Sequence, residues 1–167
     1  IYFTPYDVIK LTIERIKYFE ENNNLIINNI LEPCCGSCEF VLFLDDYFKN
    51  KEIDGIENNK DIYNKIKDIS LKNNKFDIEH KNFFFKDNNK KYDLIIGNPP
   101  FYVLHKNDVN EKYLKYFDGR PNIFILFIID CLKKLNNNGI LSFILPINFM
   151  NCVYYDKTRK YIKNNYS

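Results

Sequence analysis

Three groups of residues in this chain have types and spacings that can do chemistry. Asn98-Pro99-Pro100-Phe101 follows the apolar run Leu94-Ile95-Ile96. Two consecutive prolines fix the backbone and remove two donors, which leaves carbonyls free to accept. The Asn98 side-chain oxygen and the Pro99 carbonyl together make a receptor for an amino group, and Phe101 offers a stacking face. Such a device recognises an NH2 on a flat ring. The second group is Glu32-Pro33-Cys34-Cys35-Gly36-Ser37-Cys38, where one glycine lets the backbone approach a ligand closely. With a single glycine and no Lys after it, the turn is neither a dinucleotide fingerprint nor a P-loop, so a pyrophosphate cradle is disfavoured. The third is Gly55-Ile56-Glu57. Glu57 stands 21 residues beyond Gly36, the separation at which an acid after a second strand reaches ribose hydroxyls of a nucleoside over the first turn. Two acids, Glu32 and Glu57, with no base for phosphate, suit a cofactor that is nucleoside-bearing and cationic. S-adenosylmethionine meets that description.

These groups need a frame that brings strand ends together, and the hydrophobic pattern supplies one. Thr4-Pro5-Tyr6-Asp7 reads as a helix start, with Thr4 as the capping hydroxyl and Pro5 at the first helical position. Val8, Leu11, Ile16 and Phe19 recur near helical spacing, so an amphipathic helix runs to about Asn22. Strands are predicted over 28–31, 52–56, 76–80, 92–96 and 139–145, and helices over 39–48, 60–71, 123–135 and 154–164. The Asn clusters 22–24 and 136–138 read as loops. Strands alternating with helices imply crossover connections and a mainly parallel sheet covered on both faces: a doubly wound, Rossmann-like α/β fold. In such sheets ligands sit beyond the carboxyl ends of the strands, where all three groups fall.

Composition excludes several classes. At 167 residues, 46% hydrophobic, with 5 Gly and 6 Pro, the chain suffices for one domain with a proper core. The most apolar run, Ile123 to Leu132, already contains Asp130 and is too short to span a bilayer. No secretion signal is visible at Ile1-Tyr2-Phe3, although the missing initiator Met leaves the true start open, and an intracellular fragment is expected. The 25 Asn, 23 Ile and 21 Lys against 3 Arg, without Ala or Gln, mark an AT-rich genome more than a chemistry. A net charge of +2 is too weak to argue for nucleic acid. Five cysteines make an odd set for a disulfide framework, and His80 and His105 pair with nothing at zinc-knuckle spacing, so no metal is expected.

The motifs together resemble the N6-adenine DNA methyltransferases of the type whose Thr-Pro element precedes the cofactor motif. The residues that carry the likeness are Thr4-Pro5, Glu32-Pro33, Cys35-Gly36-Ser37, Phe40, Gly55-Ile56-Glu57 and Asn98-Pro99-Pro100-Phe101. It continues through Arg120 to Phe124, Gly139 to Pro146, Phe149-Met150-Asn151 and Tyr155 to Arg159, and so covers essentially the whole chain. The resemblance implies a class I S-adenosylmethionine-dependent catalytic domain over 1–167 that modifies DNA site-specifically, within a restriction-modification system. Thr4-Pro5 and Glu32, Pro33, Cys34 and Cys35 would line the methionine moiety beside Gly36. Glu57 would hold the ribose, and Asn82 and Phe83 would meet the cofactor adenine. Asn98 and the Pro99 carbonyl would accept both N6 hydrogens of an adenine flipped out of the duplex, while Phe101 stacks on it. Direct transfer needs no covalent intermediate, which leaves the clustered cysteines as loop residues. Two positions depart from the family pattern: Asn82 stands where Asp is usual, and Cys38 where a second Gly is typical.

Family members normally continue with two more strands, a second aromatic and a target-recognition domain. The chain is therefore expected to be the catalytic part of a longer protein or half of a split enzyme, with its sheet incomplete at the C-terminal hairpin. The Asn-Pro-Pro-aromatic turn also serves enzymes acting on RNA bases or on a glutamine amide. A non-enzymatic assembly subunit is the reading from another class. Lys157, Arg159, Lys160 and Lys163 form a basic helix that reads as a solvated face ahead of a phosphate contact. Tyr102, Tyr113, Tyr116 and Phe117, interleaved with Lys106, Lys112 and Lys115, read equally as a DNA-side loop or a packed lid.

Overall fold

The computed structural model describes residues 4–85 and 89–166; Ile1–Phe3, 86–88, Ser167 and the side chains of Phe85 and Lys106 lie outside what is described. The chain forms two compact units, one of Ile1–Asn98 with Lys134–Phe143, the other of Pro99–Lys133 with Ile144–Ser167.

The first unit is built on five parallel strands. In chain order its elements are α1 (Tyr6–Asn22), β1 (Asn29–Glu32), α2 (Glu39–Tyr47), β2 (Glu52–Glu57), α3 (Lys60–Ile66), β3 (Lys75–His80), β4 (Tyr92–Gly97) and β5 (Leu135–Phe143). The sheet order is β3-β2-β1-β4-β5. The chain steps outward from β1 to β3 and returns to place β4 on the other side of β1, with Ile30 opposite Leu94 and Leu31 opposite Ile95. The order reverses between β1 and β4, and the carboxyl ends of those strands frame a crevice by geometry alone. Strands β1 and β4 carry fully buried Ile30, Leu31, Leu94, Ile95 and Ile96, as a strand covered on both faces requires.

Several boundaries differ from the sequence reading for local reasons. Helix α1 buries Ile9, Ile13 and Ile16 and leaves Val8, Leu11 and Phe19 exposed; the helix carries two apolar stripes, and the isoleucine one faces inward. Thr4 is no cap: Pro5 holds the N-cap position with no side-chain bond, and its carbonyl accepts from Val8 N and Ile9 N. Helix α3 is capped by Asn59 Oδ1 and ends at Ile66, short of Leu71. Beyond it the backbone turns to offer Lys72 N and Asn73 N to the Asp45 carboxylate. The Asn136–Asn138 cluster is a bulge inside β5 and not a loop. Tyr92 pairs with Leu135 and Leu94 with Ile140, so 136–139 stand opposite Asp93 alone, and Asn136 Nδ2 donates to Asp93 Oδ1.

The second unit centres on α4 (Ile123–Lys133), whose residues 123–129, 131 and 132 are all buried. Helix α5 (Asp156–Asn165) is tied down by fully buried Thr158, which donates to Tyr116 O at 2.6 Å, and by Arg159, which donates to Phe149 O and Cys152 O. Short 3-10 turns at 111–116, 147–150 and 153–155 fill the intervals, the last replacing the start expected for α5. Among the described residues no helix is long and apolar enough to cross a membrane.

Candidate active site at the switch point

Strand β1 delivers Glu32, 2% exposed, straight into the Pro33–Cys38 turn. That turn is laid over the end of β2: Cys35 N donates to Ile56 O at 2.9 Å, and Cys38 N closes back on Cys35 O at 2.8 Å. Gly55 makes the overlay possible, since a Cβ there would fall 2.6 Å from Cys35 Sγ. Gly36 has φ +54° with open space where a side chain would stand, so the turn presents bare backbone at its tip. Gly97, at the end of β4, lies against the same turn; a Cβ on it would sit 3.7 Å from Glu32 Cγ, Pro33 Cδ and Cys34 Sγ.

Glu57 is buried and accepts from Gly36 N at 2.8 Å and from Asn59 N at 2.6 Å. One carboxylate thus joins the first turn to the start of α3. A carboxylate offers about four acceptor sites, so two backbone bonds leave capacity for a ligand hydroxyl. Glu32 stands differently. Its Oε2 is buried without a partner. Burial pushes its carboxyl well above the usual range, and neighbouring Cys38 and Glu39 add to the effect, which favours the neutral acid. The thiols of Cys34 and Cys35 are likewise pushed up, chiefly by burial; they are not poised nucleophiles.

Asn98 completes the rim. Its Nδ2 donates to Thr4 Oγ1 at 3.0 Å, across 94 residues of sequence, and its Oδ1 is buried with no partner. Buried polar atoms in native proteins nearly always have a partner, so an orphan acceptor marks a place for a ligand donor. The first unit therefore gathers Thr4, Glu32, Pro33, Cys34, Cys35, Gly36, Glu57 and Asn98 along one rim. Just beyond β3, Asn82 Oδ1 accepts from Phe84 N at 3.0 Å and starts a 3-10 turn in which Phe83 is buried. Two of these roles escaped the sequence reading: the bond from Asn98 to Thr4, and the space that Gly55 leaves for Cys35.

Similarity to known proteins decides the family. The family model described as Eco57I restriction-modification methylase matches residues 9–167. The chain belongs to that family. It is 31% identical over 159 residues to the type II methyltransferase M.CvrRI of Paramecium bursaria Chlorella virus XZ-6E, covering 95% of this chain and 39% of that protein. It is 29% identical to the modification methylase CviBIII of Paramecium bursaria Chlorella virus NC1A, over 97% of this chain and 41% of that one. The chain thus spans about two fifths of the length of these relatives. A solved class I S-adenosylmethionine-dependent methyltransferase from Listeria monocytogenes superposes with TM-score 0.69 over 93% of this chain and 50% of its own, at 16% identity, and the plantazolicin methyltransferase BpumL with TM-score 0.58 over 98% of this chain and 58% of its own, at 15% identity. The fold is the class I methyltransferase fold, as the resemblance implies, and the alternation of strands and helices predicts its doubly wound α/β layout.

In the second unit the segment that begins at Asn98 continues with Pro99, Pro100 and Phe101. Phe101 is 43% exposed. Its ring meets Phe124 edge-on at 5.9 Å, and Phe124 in turn meets Phe149 at 5.9 Å and Tyr155 at 5.1 Å. Tyr113, Tyr116 and Phe117 are buried and only Tyr102 is half exposed, so this aromatic stretch is packed. The basic helix α5 is largely engaged within the unit: Lys157 pairs with Asp118 at 2.6 Å and Lys160 with Asp156 at 2.8 Å. His80 shares a bond with Asn58 O and lies beside Tyr63, an ordinary strand-end role. All five cysteines are free thiols. Among the described residues no three His, Cys, Asp or Glu are grouped to hold a metal.

Proposed function

We propose that the protein transfers a methyl group from S-adenosylmethionine to the exocyclic N6 of an adenine in DNA, as a site-specific modification methylase inside the cell. The observation that carries this reading is the buried, unpartnered Asn98 Oδ1 beside the glycine turn at the switch point. The residues fit the cofactor. Glu32 retains an unmatched oxygen and Gly36 exposes backbone, and no Lys follows the glycine in the Pro33–Cys38 turn, which suits a charged nucleoside without phosphate. A cation beside Glu32 would also draw its carboxyl back toward ionisation. When bound, S-adenosylmethionine supplies an activated methyl on a sulfonium.

The chain's own residues divide the remaining work, acting as one catalytic domain. Thr4-Pro5 and Glu32 to Cys35 line the methionine end, Glu57 takes the ribose hydroxyls, and Asn82 with Phe83 meets the cofactor base. Asn98 Oδ1 and the Pro99 carbonyl accept the two N6 hydrogens, which localises the lone pair of a conjugated, weakly nucleophilic amine. Pro100 fixes the corner and Phe101 stacks on the flipped ring, lowering the cost of unstacking. Positioning then supplies much of the rate. A further domain or partner subunit reads the target sequence.

The deciding experiment offers tritiated S-adenosylmethionine and the full-length protein to DNA, RNA and a glutamine-bearing release-factor peptide, with digestion of the labelled product. Label recovered as N6-methyldeoxyadenosine is the expected result. Label in RNA or peptide alone, or no cofactor heat by calorimetry at millimolar concentration, overturns the reading.

A further inference from the structure

We infer that the Thr4 hydroxyl is a positioning group for the target amine, holding the Asn98 amide so that its oxygen stays directed at the substrate. The inference rests on the reading of Asn98 just given. A terminal amide rotates in a broad, roughly two-fold well, and its oxygen and nitrogen are nearly equal in size. An unanchored Asn98 would sample many planes and would present NH2 to an amine about as often as oxygen. Thr4 Oγ1, 3.0 Å from Asn98 Nδ2, fixes the plane of the amide and occupies its donor side. The acceptor side is then the one left without a partner. A hydroxyl can also donate, so the amide could in principle reverse. The reversed form would oppose two donors across the site, and a substrate amine selects against it.

Thr4 is itself rigidly held. It is 8% exposed, precedes the fixed φ of Pro5, and enters a helix whose first amides, Val8 N and Ile9 N, close on Pro5 O. Tyr6 packs edge-on against Phe43 of α2 at 4.6 Å. That helix follows the same turn whose Gly36 amide is held by Glu57. A threonine next to a helix start commonly caps the helix; here α1 goes without a side-chain cap, and the hydroxyl reaches a residue 94 positions away. The Thr4-Pro5 backbone remains available to the cofactor while the hydroxyl serves the amine.

Thr4→Val removes the hydroxyl at nearly constant volume, Thr4→Ser keeps it, and Asn98→Ala removes its partner. Three measurements on the full-length protein separate the roles: kcat for methyl transfer to genomic DNA free of methylated adenine, Kd for S-adenosylmethionine by calorimetry, and hydrogen exchange of the Asn98 side-chain amide by NMR without cofactor. For Thr4→Val we expect kcat to fall about tenfold or more, as loss of one aligned group does, with the cofactor Kd unchanged within about twofold and amide exchange faster by about tenfold. Thr4→Ser should restore all three, which also controls for misfolding. A Thr4→Val protein with unchanged kcat, or one that loses only cofactor affinity, overturns the inference. If Asn98→Ala itself retains the parent kcat, the reading of Asn98 fails and the inference falls with it.

Discussion

Glu32, at the carboxyl ends of the parallel sheet, is treated in the opposite way to Asp93 and Asp45 near its amino ends. At the amino ends, Asp93 Oδ2 accepts from Asn28 N and Asn29 N, both at 2.9 Å, and Oδ1 accepts from Asn136 Nδ2. Asp45, near the end of α2, accepts from Lys72 N at 2.7 Å, Asn73 N at 2.9 Å and Asn74 Nδ2 at 2.8 Å, just ahead of β3. Burial works against the ionised form of both, yet these donors more than offset it and hold both carboxyls below their usual range. At the carboxyl ends, Glu32 is pushed the other way and keeps an unpartnered oxygen, as does Asn98. A cavity of about 240 Å³ lies at the amino end, lined by Asn24, Ile26, Asp93 and Asn138, but its acid is already satisfied. That cavity offers a ligand no unmet carboxylate, whereas the rim at the carboxyl ends offers Glu32 Oε2 and Asn98 Oδ1. The amino ends hold the fold together and the carboxyl ends are held ready for a ligand.

The sharpest way to break this contrast is to delete one side chain from each end. Asn98→Ala should lower kcat for methyl transfer by about a hundredfold or more while costing about 1 kcal/mol of stability, the loss of its one hydrogen bond to Thr4. Asp45→Ala should do the reverse. It strips an acceptor from two backbone amides and one side-chain amide, for a loss of about 3 kcal/mol read as a lower urea midpoint, with the cofactor Kd of the folded fraction unchanged. If Asp45→Ala abolished transfer in folded protein, or Asn98→Ala chiefly unfolded it, the division of labour between the two ends would be lost.

A smaller effect is expected from Gly55→Ala. The new Cβ would meet Cys35 Sγ at 2.6 Å and the Phe76 ring at 2.9 Å, so the first turn or the ring must move, at about 1 to 3 kcal/mol. Adding Cys35→Ala removes the closer clash and leaves the ring contact, so the double variant should recover part of the stability and of the cofactor affinity. Full recovery, or none, would show that Cys35 is not what Gly55 accommodates.

The sequence discloses the parts of the site whose logic is local. Asn98-Pro99-Pro100 follows a buried strand, and the interval from Gly36 to Glu57 is fixed by one strand-helix-strand step, so both are legible without coordinates. Thr4 is also legible as a special residue, but its partner is not, because nothing local links positions 4 and 98. The inward face of α1 was ambiguous for a different reason: Val8, Leu11 and Phe19 are as apolar as Ile9 and Ile13, and only packing chooses between stripes. Asn136–Asn138 reads as a loop because polar runs usually are. The deciding fact, an Asp93 carboxylate opposite the bulge, belongs to another strand. In the second unit, 147–155 mixes apolar and polar residues without a helical or strand period, and two 3-10 turns leave no such signature to find.

The subtlest separation of the two ends is in pH. Asp45 and Asp93 have depressed folded pKa values, so their stabilisation is present above about pH 4, the unfolded value, and is lost as pH falls through the folded values. Glu32 is raised, and the sign inverts. Above about pH 4 the unfolded chain releases the Glu32 proton while the folded chain retains it, so this residue lowers stability as pH rises, until its folded pKa is reached. The slope is at most about 1.4 kcal/mol per pH unit, and the acids at the amino end do not contribute to it there. Glu32→Gln, neutral at every pH, should flatten urea midpoints between about pH 5 and 7 relative to the parent, whereas Asp93→Asn should leave the parent slope intact and lower stability throughout. Equal slopes for the parent and Glu32→Gln would mean that Glu32 finds compensation in the folded protein, and the carboxyl-end rim would then hold only one unmet group, Asn98.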